Sequence, residues 1–159
     1  MKKETAFFGA GCFWHVELAF SKIPGVLKTE AGYMGGDESE ESVRYEEVCT
    51  DTTGHAEVVK VEFDAGKVNY EKILDVFWEI HDPTQLNRQG VDVGTQYRSA
   101  IFFTNKKQKK IAEQSLAREQ KRLGKKKIVT KIVSAGKFYK AEEYHQKYLE
   151  KRGRNTCRI

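Results

Sequence analysis

The chain has 159 residues, enough for one hydrophobic core and short for two, so we expect a single domain over residues 1–159. Hydrophobic residues make up 39% and charged residues 32%, and only two prolines are present, which argues against disorder. Lys and Arg number 28 against 23 Asp and Glu. Much of this excess lies in one run without interleaved aromatic residues, typical of a solvated helix face, so we expect no nucleic-acid partner.

Hydrophobic periodicity predicts eight regular elements. In chain order they are strand 5–9, helix 13–23, strand 26–33, strand 57–63, helix 70–81, strand 99–104, helix 106–123 and strand 128–133. A loop over residues 82–97 leads into the strand at residue 99. The tail at residues 152–159 has no periodicity and is expected to be irregular and mobile.

The first six elements alternate as strand, helix, strand, strand, helix, strand, the order of the ferredoxin-like split unit. We therefore expect an α+β fold, a two-layer sandwich in which helices cover one face of a mainly antiparallel sheet. A doubly wound parallel sheet is disfavoured because two strands follow one another without a helix between them.

The N-terminal apolar stretch from Ala6 to Trp14 follows two lysines, as the apolar core of a signal peptide would. It contains two glycines and no small-residue cleavage site. We therefore expect a core strand, no membrane attachment and a cytoplasmic location.

The cysteines are odd in number and far apart, which is not the framework of a secreted disulfide protein, and they are Cys12, Cys49 and Cys157. Reactive cysteine chemistry is the favoured interpretation. Cys49 and His55 are candidate metal ligands, but there is no Cys-x-x-Cys pair or histidine cluster of the kind that zinc sites use, so we expect no metal.

Cys12 lies between the first strand and the first helix, with Gly9 and Gly11 before it. The unpaired amides and the dipole of a helix N-terminus favour a thiolate, which would make Cys12 a nucleophile. A small buried cysteine without reactivity suits the same position. Position alone leaves both alternatives open.

Phe13 and Trp14 follow Cys12 directly. Aromatic residues that open a helix commonly belong to the core. Beside a nucleophile they would instead form an apolar slot for a small group, such as a methyl on sulfur.

Seven sequence blocks carry a family resemblance. In order they are Gly11-Cys12-Phe13-Trp14, Gly32-Tyr33-Met34-Gly35-Gly36, Tyr45-Glu46-Glu47-Val48, Thr53-Gly54-His55-Ala56-Glu57-Val58, His81-Asp82-Pro83-Thr84-Gln85, the run from Gln89 to Ser99, and the run from Phe138 to Gln146. Over nearly its whole length the chain resembles the A-type peptide methionine sulfoxide reductases.

The resemblance implies a role for each residue of the site. Cys12 would attack the sulfoxide sulfur, and Glu57, kept protonated by burial, would be the acid opposite it. Tyr45 and Tyr97 would donate hydrogen bonds to the sulfoxide oxygen, and Asp92 would order the site through hydrogen bonds and water.

Attack by Cys12 would leave methionine and a sulfenic acid, which condenses with a second thiol. Cys157 is the expected resolving residue because a mobile tail can bring its sulfur to Cys12. Cys49 is the rival, but it follows Val48 on a stretch expected to be ordered. Thioredoxin or a similar dithiol would reduce the Cys12–Cys157 disulfide, and no cofactor is needed.

The resemblance also implies selectivity for the S epimer, acting on free and protein-bound methionine sulfoxide, and nothing in the sequence demands more than a monomer. One departure is His15, where many members have glycine. Two other classes remain open: another thiol enzyme, such as a peroxidase, and a non-catalytic RNA-binding module. The strand Ala100-Ile101-Phe102-Phe103 lacks the basic, glycine and aromatic signature of such modules.

Overall fold

The computed structural model describes residues 2–39, 43–50 and 53–151. The predicted mobile tail at residues 152–159, and Cys157 with it, lie outside the described residues.

Eight strands and five helices are present in the described part of the chain. The strands are β1 Lys3–Ala10, β2 Val26–Met34, β3 Ala56–Asp64, β4 Arg88–Gln89, β5 Asp92–Val93, β6 Ser99–Phe103, β7 Lys131–Ser134 and β8 Tyr139–Lys140. The helices are α1 Phe13–Ser21, α2 Tyr45–Cys49, α3 Tyr70–Glu79, α4 Lys106–Leu123 and α5 Tyr148–Lys151.

Six of the strands form one mixed sheet in the order β7-β6-β1-β3-β2-β8. All neighbours are antiparallel except β6 and β7, which are parallel. The register brings four strands together near the site, because Ala10 of β1 pairs with Ser99 of β6 and Tyr33 of β2 pairs with Glu57 of β3. The predicted α+β class is confirmed.

The two faces of the sheet bury different amounts of apolar surface. One face carries a large cluster shared with α1, α3 and α4, in which Phe8 stacks on Phe20 with ring centroids 5.0 Å apart. The other carries a smaller cluster around Met34 and Phe102, against which Phe138 packs. Alternation along the strands explains this division, because neighbouring residues of a strand point to opposite faces.

Side-chain caps set the start of the two longer helices. The carboxamide oxygen of Asn69 accepts a hydrogen bond from the Lys72 amide at 2.8 Å, and Asn105 does the same for Gln108 at 2.8 Å. Each cap pairs an amide that a helix N-terminus otherwise leaves without a partner. α4 ends at Leu123, and the next residue, Gly124, has a φ of +68°, which favours glycine.

The structure differs from the predicted elements in several places, and β8, a 3₁₀ turn at Glu143–His145 and α5 all lie beyond the last predicted strand. The predicted loop over residues 82–97 contains the hairpin of β4 and β5 and a 3₁₀ turn at Thr95–Tyr97. The short helix α2 was not predicted. The last predicted strand begins at Lys131 rather than at residue 128, because the Val129 amide bonds the Pro83 carbonyl at 2.8 Å, outside the sheet.

Across the described residues, no helix combines the length and the apolar character needed to cross a membrane.

The turn after β2 is tightly packed around Gly36, and a substitution there tests this packing. A Cβ added to Gly36 would overlap backbone atoms of Thr53, Gly54 and His55, whereas one added to Gly136 would meet only the end of the flexible Glu38 side chain. We expect Gly36→Ala to lower the free energy of unfolding by about 1–3 kcal/mol, the usual cost of overpacking. Urea denaturation measures this loss.

Gly136→Ala is the matched control, with a smaller loss expected because a side chain can rotate away. Equal losses in the two variants would contradict the packing described for Gly36.

Candidate active site

Cys12 occupies the N-cap position of α1, immediately after β1. Its carbonyl accepts hydrogen bonds from the amides of His15 at 3.2 Å and Val16 at 3.4 Å. Gly11 has a φ of +97°, and a Cβ there would lie 2.9 Å from the Gln89 side chain. Glycine suits that backbone, and its lack of a side chain lets the chain before Cys12 lie close to Gln89 in the loop after α3.

The charge state of the Cys12 thiol depends on its burial and on nearby carboxyl groups as well as on the helix N-terminus. Burial, together with the negative charges of Glu57 and Asp92, raises its pKa to about 12, although the amides of Trp14 and His15 act in the opposite direction. The helix N-terminus therefore acts in the expected direction but is outweighed. The resting Cys12 side chain is therefore a thiol rather than the thiolate that the helix N-terminus alone would favour, because it is half-buried beside two carboxyl groups.

Glu57 lies near the start of β3 with 1% of its surface exposed. Its Oε1 accepts a hydrogen bond from the Phe13 amide at 3.2 Å, one residue from Cys12. Burial raises the pKa of Glu57 to about 8, an effect that the Phe13 amide opposes and Asp92 reinforces. The side chain is therefore mostly protonated at neutral pH.

The position of that proton follows from the hydrogen bonds. Because Oε1 accepts from an N–H group, the proton of the neutral carboxyl lies on Oε2. Oε2 is buried and has no partner among the described residues. Glu57 thus holds a proton that no described protein group accepts.

Two tyrosines and an aspartate border the same region. Burial, followed by the charge of Glu57 and then that of Asp92, raises the pKa of Tyr97, which closes the 3₁₀ turn. Burial also raises the pKa of Tyr45, whose hydroxyl hydrogen-bonds the Cys49 side chain. Both hydroxyls therefore stay protonated and can donate hydrogen bonds. Asp92, on β5, acts on Cys12, Glu57 and Tyr97 through its charge.

The two aromatic residues after Cys12 differ in burial. Phe13 is 1% exposed, with its ring centroid 5.6 Å from that of Tyr33 and 6.4 Å from that of Tyr45. Trp14 is only partly buried and stacks on Tyr148 at 3.9 Å between centroids. Phe13 is therefore the inner of the two rings, and Trp14 is the more accessible one.

The sequence interpretation missed three residues that hold these groups. The Gln89 carboxamide makes two hydrogen bonds with the Asp82 backbone: it accepts from the amide at 3.0 Å and donates to the carbonyl at 2.6 Å. Glu142 accepts from the Tyr45 amide at 3.0 Å, and His145 accepts from the Trp14 indole at 3.0 Å. Gln89, Glu142 and His145 all lie in the blocks of the family resemblance, which is the one signal that marked them.

His55 has both ring nitrogens engaged by the backbone. Nδ1 accepts from the Gly36 amide at 3.0 Å, and Nε2 donates to the Asp37 carbonyl at 2.8 Å. Over residues 2–39, 43–50 and 53–151 there is no group of three or more His, Cys, Asp or Glu residues arranged to hold a metal ion. His55 therefore positions the start of β3 rather than pairing with Cys49.

A cysteine at a helix N-terminus beside a buried, protonated carboxylic acid defines a thiol-dependent enzyme on an α+β scaffold. A family model described as peptide methionine sulfoxide reductase matches residues 4–159. The peptide methionine sulfoxide reductase MsrA of Geobacter sulfurreducens is 59% identical over 157 residues, covering 98% of this chain and 95% of that protein.

Solved structures agree. Mxr1 of Saccharomyces cerevisiae in reduced form superposes with a TM-score of 0.91 at 36% identity, covering 96% of this chain and 87% of that one. Mxr1 in complex with Trx2 gives a TM-score of 0.65 at 23% identity, with 92% and 85% covered, and shares the fold. The chain belongs to the A-type peptide methionine sulfoxide reductase family, oxidoreductases that act on methionine sulfoxide. Membership favours this class over a peroxidase or an RNA-binding module.

The influence of Asp92 on the thiol gives a direct test. Removing its negative charge by Asp92→Asn lowers the pKa of Cys12 and increases the thiolate fraction. We expect iodoacetamide to alkylate Cys12 about two- to fivefold faster at pH 9, followed by mass spectrometry of the Cys12 peptide.

Asp75→Asn is the matched control, because it removes the same charge from an exposed position on α3. A rate that rises equally in both variants would show that net charge, not the position of Asp92, governs the thiol.

Proposed function

We propose that this chain reduces methionine S-sulfoxide to methionine with Cys12 as the nucleophile and Glu57 as the acid. The observation that carries the proposal is the buried Glu57 carboxyl, bonded to the Phe13 amide and left with an unpartnered Oε2. A sulfoxide sulfur is a poor electrophile until its oxygen is hydrogen-bonded or protonated, and Glu57 supplies a proton at neutral pH.

The reaction begins when Glu57 gives its Oε2 proton to the sulfoxide oxygen. The carboxylate that results accepts the Cys12 thiol proton, so the thiolate forms as the substrate becomes electrophilic. The Cys12 sulfur attacks the substrate sulfur, and the S–S bond that forms breaks again as the hydroxyl passes to Cys12. Overall the substrate sulfur gains the two electrons that the Cys12 sulfur loses, the proton from Glu57 remains on the sulfenic acid oxygen, and the thiol proton restores neutral Glu57. A raised pKa in both groups suits this exchange, because neither is charged in the resting enzyme.

The remaining site residues bind and orient the substrate. Tyr45 and Tyr97 donate hydrogen bonds to the sulfoxide oxygen as negative charge develops there. Asp92 orders this polar side through hydrogen bonds and water. Phe13 and Trp14 form the slot for the methyl group. Because the methyl group and the oxygen each bind at a fixed place, the site accepts only one configuration at the sulfur. We assign this as the S epimer.

Recycling uses Cys157 and a dithiol partner. The Cys157 thiol attacks the sulfenic acid of Cys12, which forms a disulfide and releases water. Thioredoxin then reduces that disulfide while its own two thiols become a disulfide. The likeness to Mxr1, which was crystallised in a complex with Trx2, supports this choice of partner.

We also propose a fold type, a cellular location and an oligomeric state for this enzyme. The four strands β6, β1, β3 and β2 are adjacent in that order, with α1 and α3 in the same core cluster, which supports a ferredoxin-like assignment. We place the enzyme in the cytoplasm as a monomer that accepts free and protein-bound methionine sulfoxide, as its sequence suggests.

Separated R and S epimers of a blocked methionine sulfoxide, with dithiothreitol as reductant, test the reaction. We expect methionine to form from the S epimer, and Cys12→Ser to abolish its formation because serine lacks the nucleophilic sulfur. Methionine is quantified by chromatography. The proposal fails if the S epimer is not turned over.

Recycling is tested with thioredoxin as the only reductant. We expect Cys157→Ser to release about one methionine per protein, because the Cys12 sulfenic acid then has no resolving thiol. Cys49→Ser is the matched control and should turn over repeatedly. Dithiothreitol should restore turnover to Cys157→Ser, which shows that the variant is folded.

Repeated thioredoxin-dependent turnover by Cys157→Ser would contradict the assignment. A stall in Cys49→Ser instead would identify Cys49 as the resolving thiol.

A further inference from the structure

His145 contacts three of the aromatic residues that border the site. Its ring centroid lies 5.2 Å from that of Phe13, 4.4 Å from that of Tyr45 and 5.7 Å from that of Trp14. Only 1% of its surface is exposed. The substrate slot is therefore backed by an imidazole to which the roles described so far assign nothing.

One hydrogen bond determines which form of the imidazole is present. Nδ1 accepts from the Trp14 Nε1–H group at 3.0 Å, which requires Nδ1 to be unprotonated and leaves the proton of the neutral ring on Nε2. Burial lowers the pKa of His145, although the carboxylates of Glu142 and Glu46 act in the opposite direction. The neutral ring that can hold the indole is thus the favoured form.

The position of His145 is set without help from Trp14. The next residue, Gln146, inserts its side chain into the sheet edge, accepting from the Ala31 amide at 2.8 Å and donating to the Ala31 carbonyl at 2.9 Å. The amide of Lys147 bonds the buried Glu17 carboxylate at 2.6 Å. His145 is therefore a fixed point, and Trp14 is the residue that it orients.

Trp14 is held on two sides. Tyr148 stacks on one face of the indole with the two planes 13° apart, and His145 binds its edge. A partly exposed indole with neither contact would rotate and leave the methyl slot without a defined wall.

We propose that His145 is a positioning residue for substrate binding: its Nδ1 locks the Trp14 indole in the orientation that receives the S-methyl group of the sulfoxide. This proposal rests on the function proposed above. It assigns to the run from Phe138 to Gln146 a part in substrate affinity, separate from the proton transfer at Glu57.

Steady-state kinetics on the blocked S-sulfoxide, with dithiothreitol as reductant, make the result independent of Cys157. We expect His145→Phe, which keeps a ring but removes the acceptor, to raise KM about tenfold with kcat within about twofold. We expect His145→Asn, whose carboxamide oxygen takes the place of Nδ1, to keep KM within about threefold of the parent.

A double-mutant cycle shows whether His145 acts through Trp14. In a Trp14→Phe background the indole donor is absent, so His145→Phe should change KM by less than about twofold. An unchanged KM in His145→Phe, or effects that multiply in the double variant, would overturn the proposal.

An NMR measurement keeps the test independent of turnover and of the proposed function. In Trp78→Phe protein, Trp14 is the only tryptophan, and its indole Nε1–H resonance reports the hydrogen bond. We expect an upfield shift of that proton on adding His145→Phe and a much smaller shift with His145→Asn. If the chemical shift of the indole proton changes with neither substitution, the proposal is overturned even if every variant is active.

Discussion

The hydrogen bond from the Phe13 amide to Glu57 is the contact on which the site depends. It joins the first turn of α1 to the start of β3, and so it sets the distance between the nucleophile and the acid. It also occupies one carboxyl oxygen and leaves the other with the proton. A single backbone donor thus determines both the geometry of the pair and the direction from which a proton is delivered.

The rest of the site is assembled around this contact from segments far apart in the chain. The loop after α3 contributes Gln89 and Asp92, and the stretch after β8 contributes Glu142 and His145. Regular secondary structure does little to hold this part of the site in place, because β8 has two residues and α5 has four. Side-chain hydrogen bonds to the backbone of the sheet take over that role.

Much of the scaffold was predictable from local pattern. Alternation in β3 and helical spacing in α3 are properties of neighbouring residues, and both elements were found within a few positions of their limits. The hairpin of β4 and β5 was not found, because two-residue strands leave no period. It is held instead by the bonds between Gln89 and Asp82.

The candidate site was predictable in its members but not in its electrostatics. Family blocks named Cys12 and Glu57, yet the pKa of Cys12 depends on burial by distant parts of the chain as well as on the helix turn that it begins. The roles of Glu142 and His145 depend on partners 97 and 131 residues away, a separation that no local pattern records.

The uncharged resting state of Cys12 has a consequence for survival of the enzyme under oxidative stress. Peroxides react with thiolates far faster than with thiols, and repeated oxidation carries a cysteine beyond sulfenic acid to forms that thiols do not restore. A thiol whose pKa is raised to about 12 stays largely protonated until a sulfoxide takes the Glu57 proton. Burial therefore delays formation of the Cys12 thiolate, and in doing so it protects Cys12 from the oxidants that produce methionine sulfoxide.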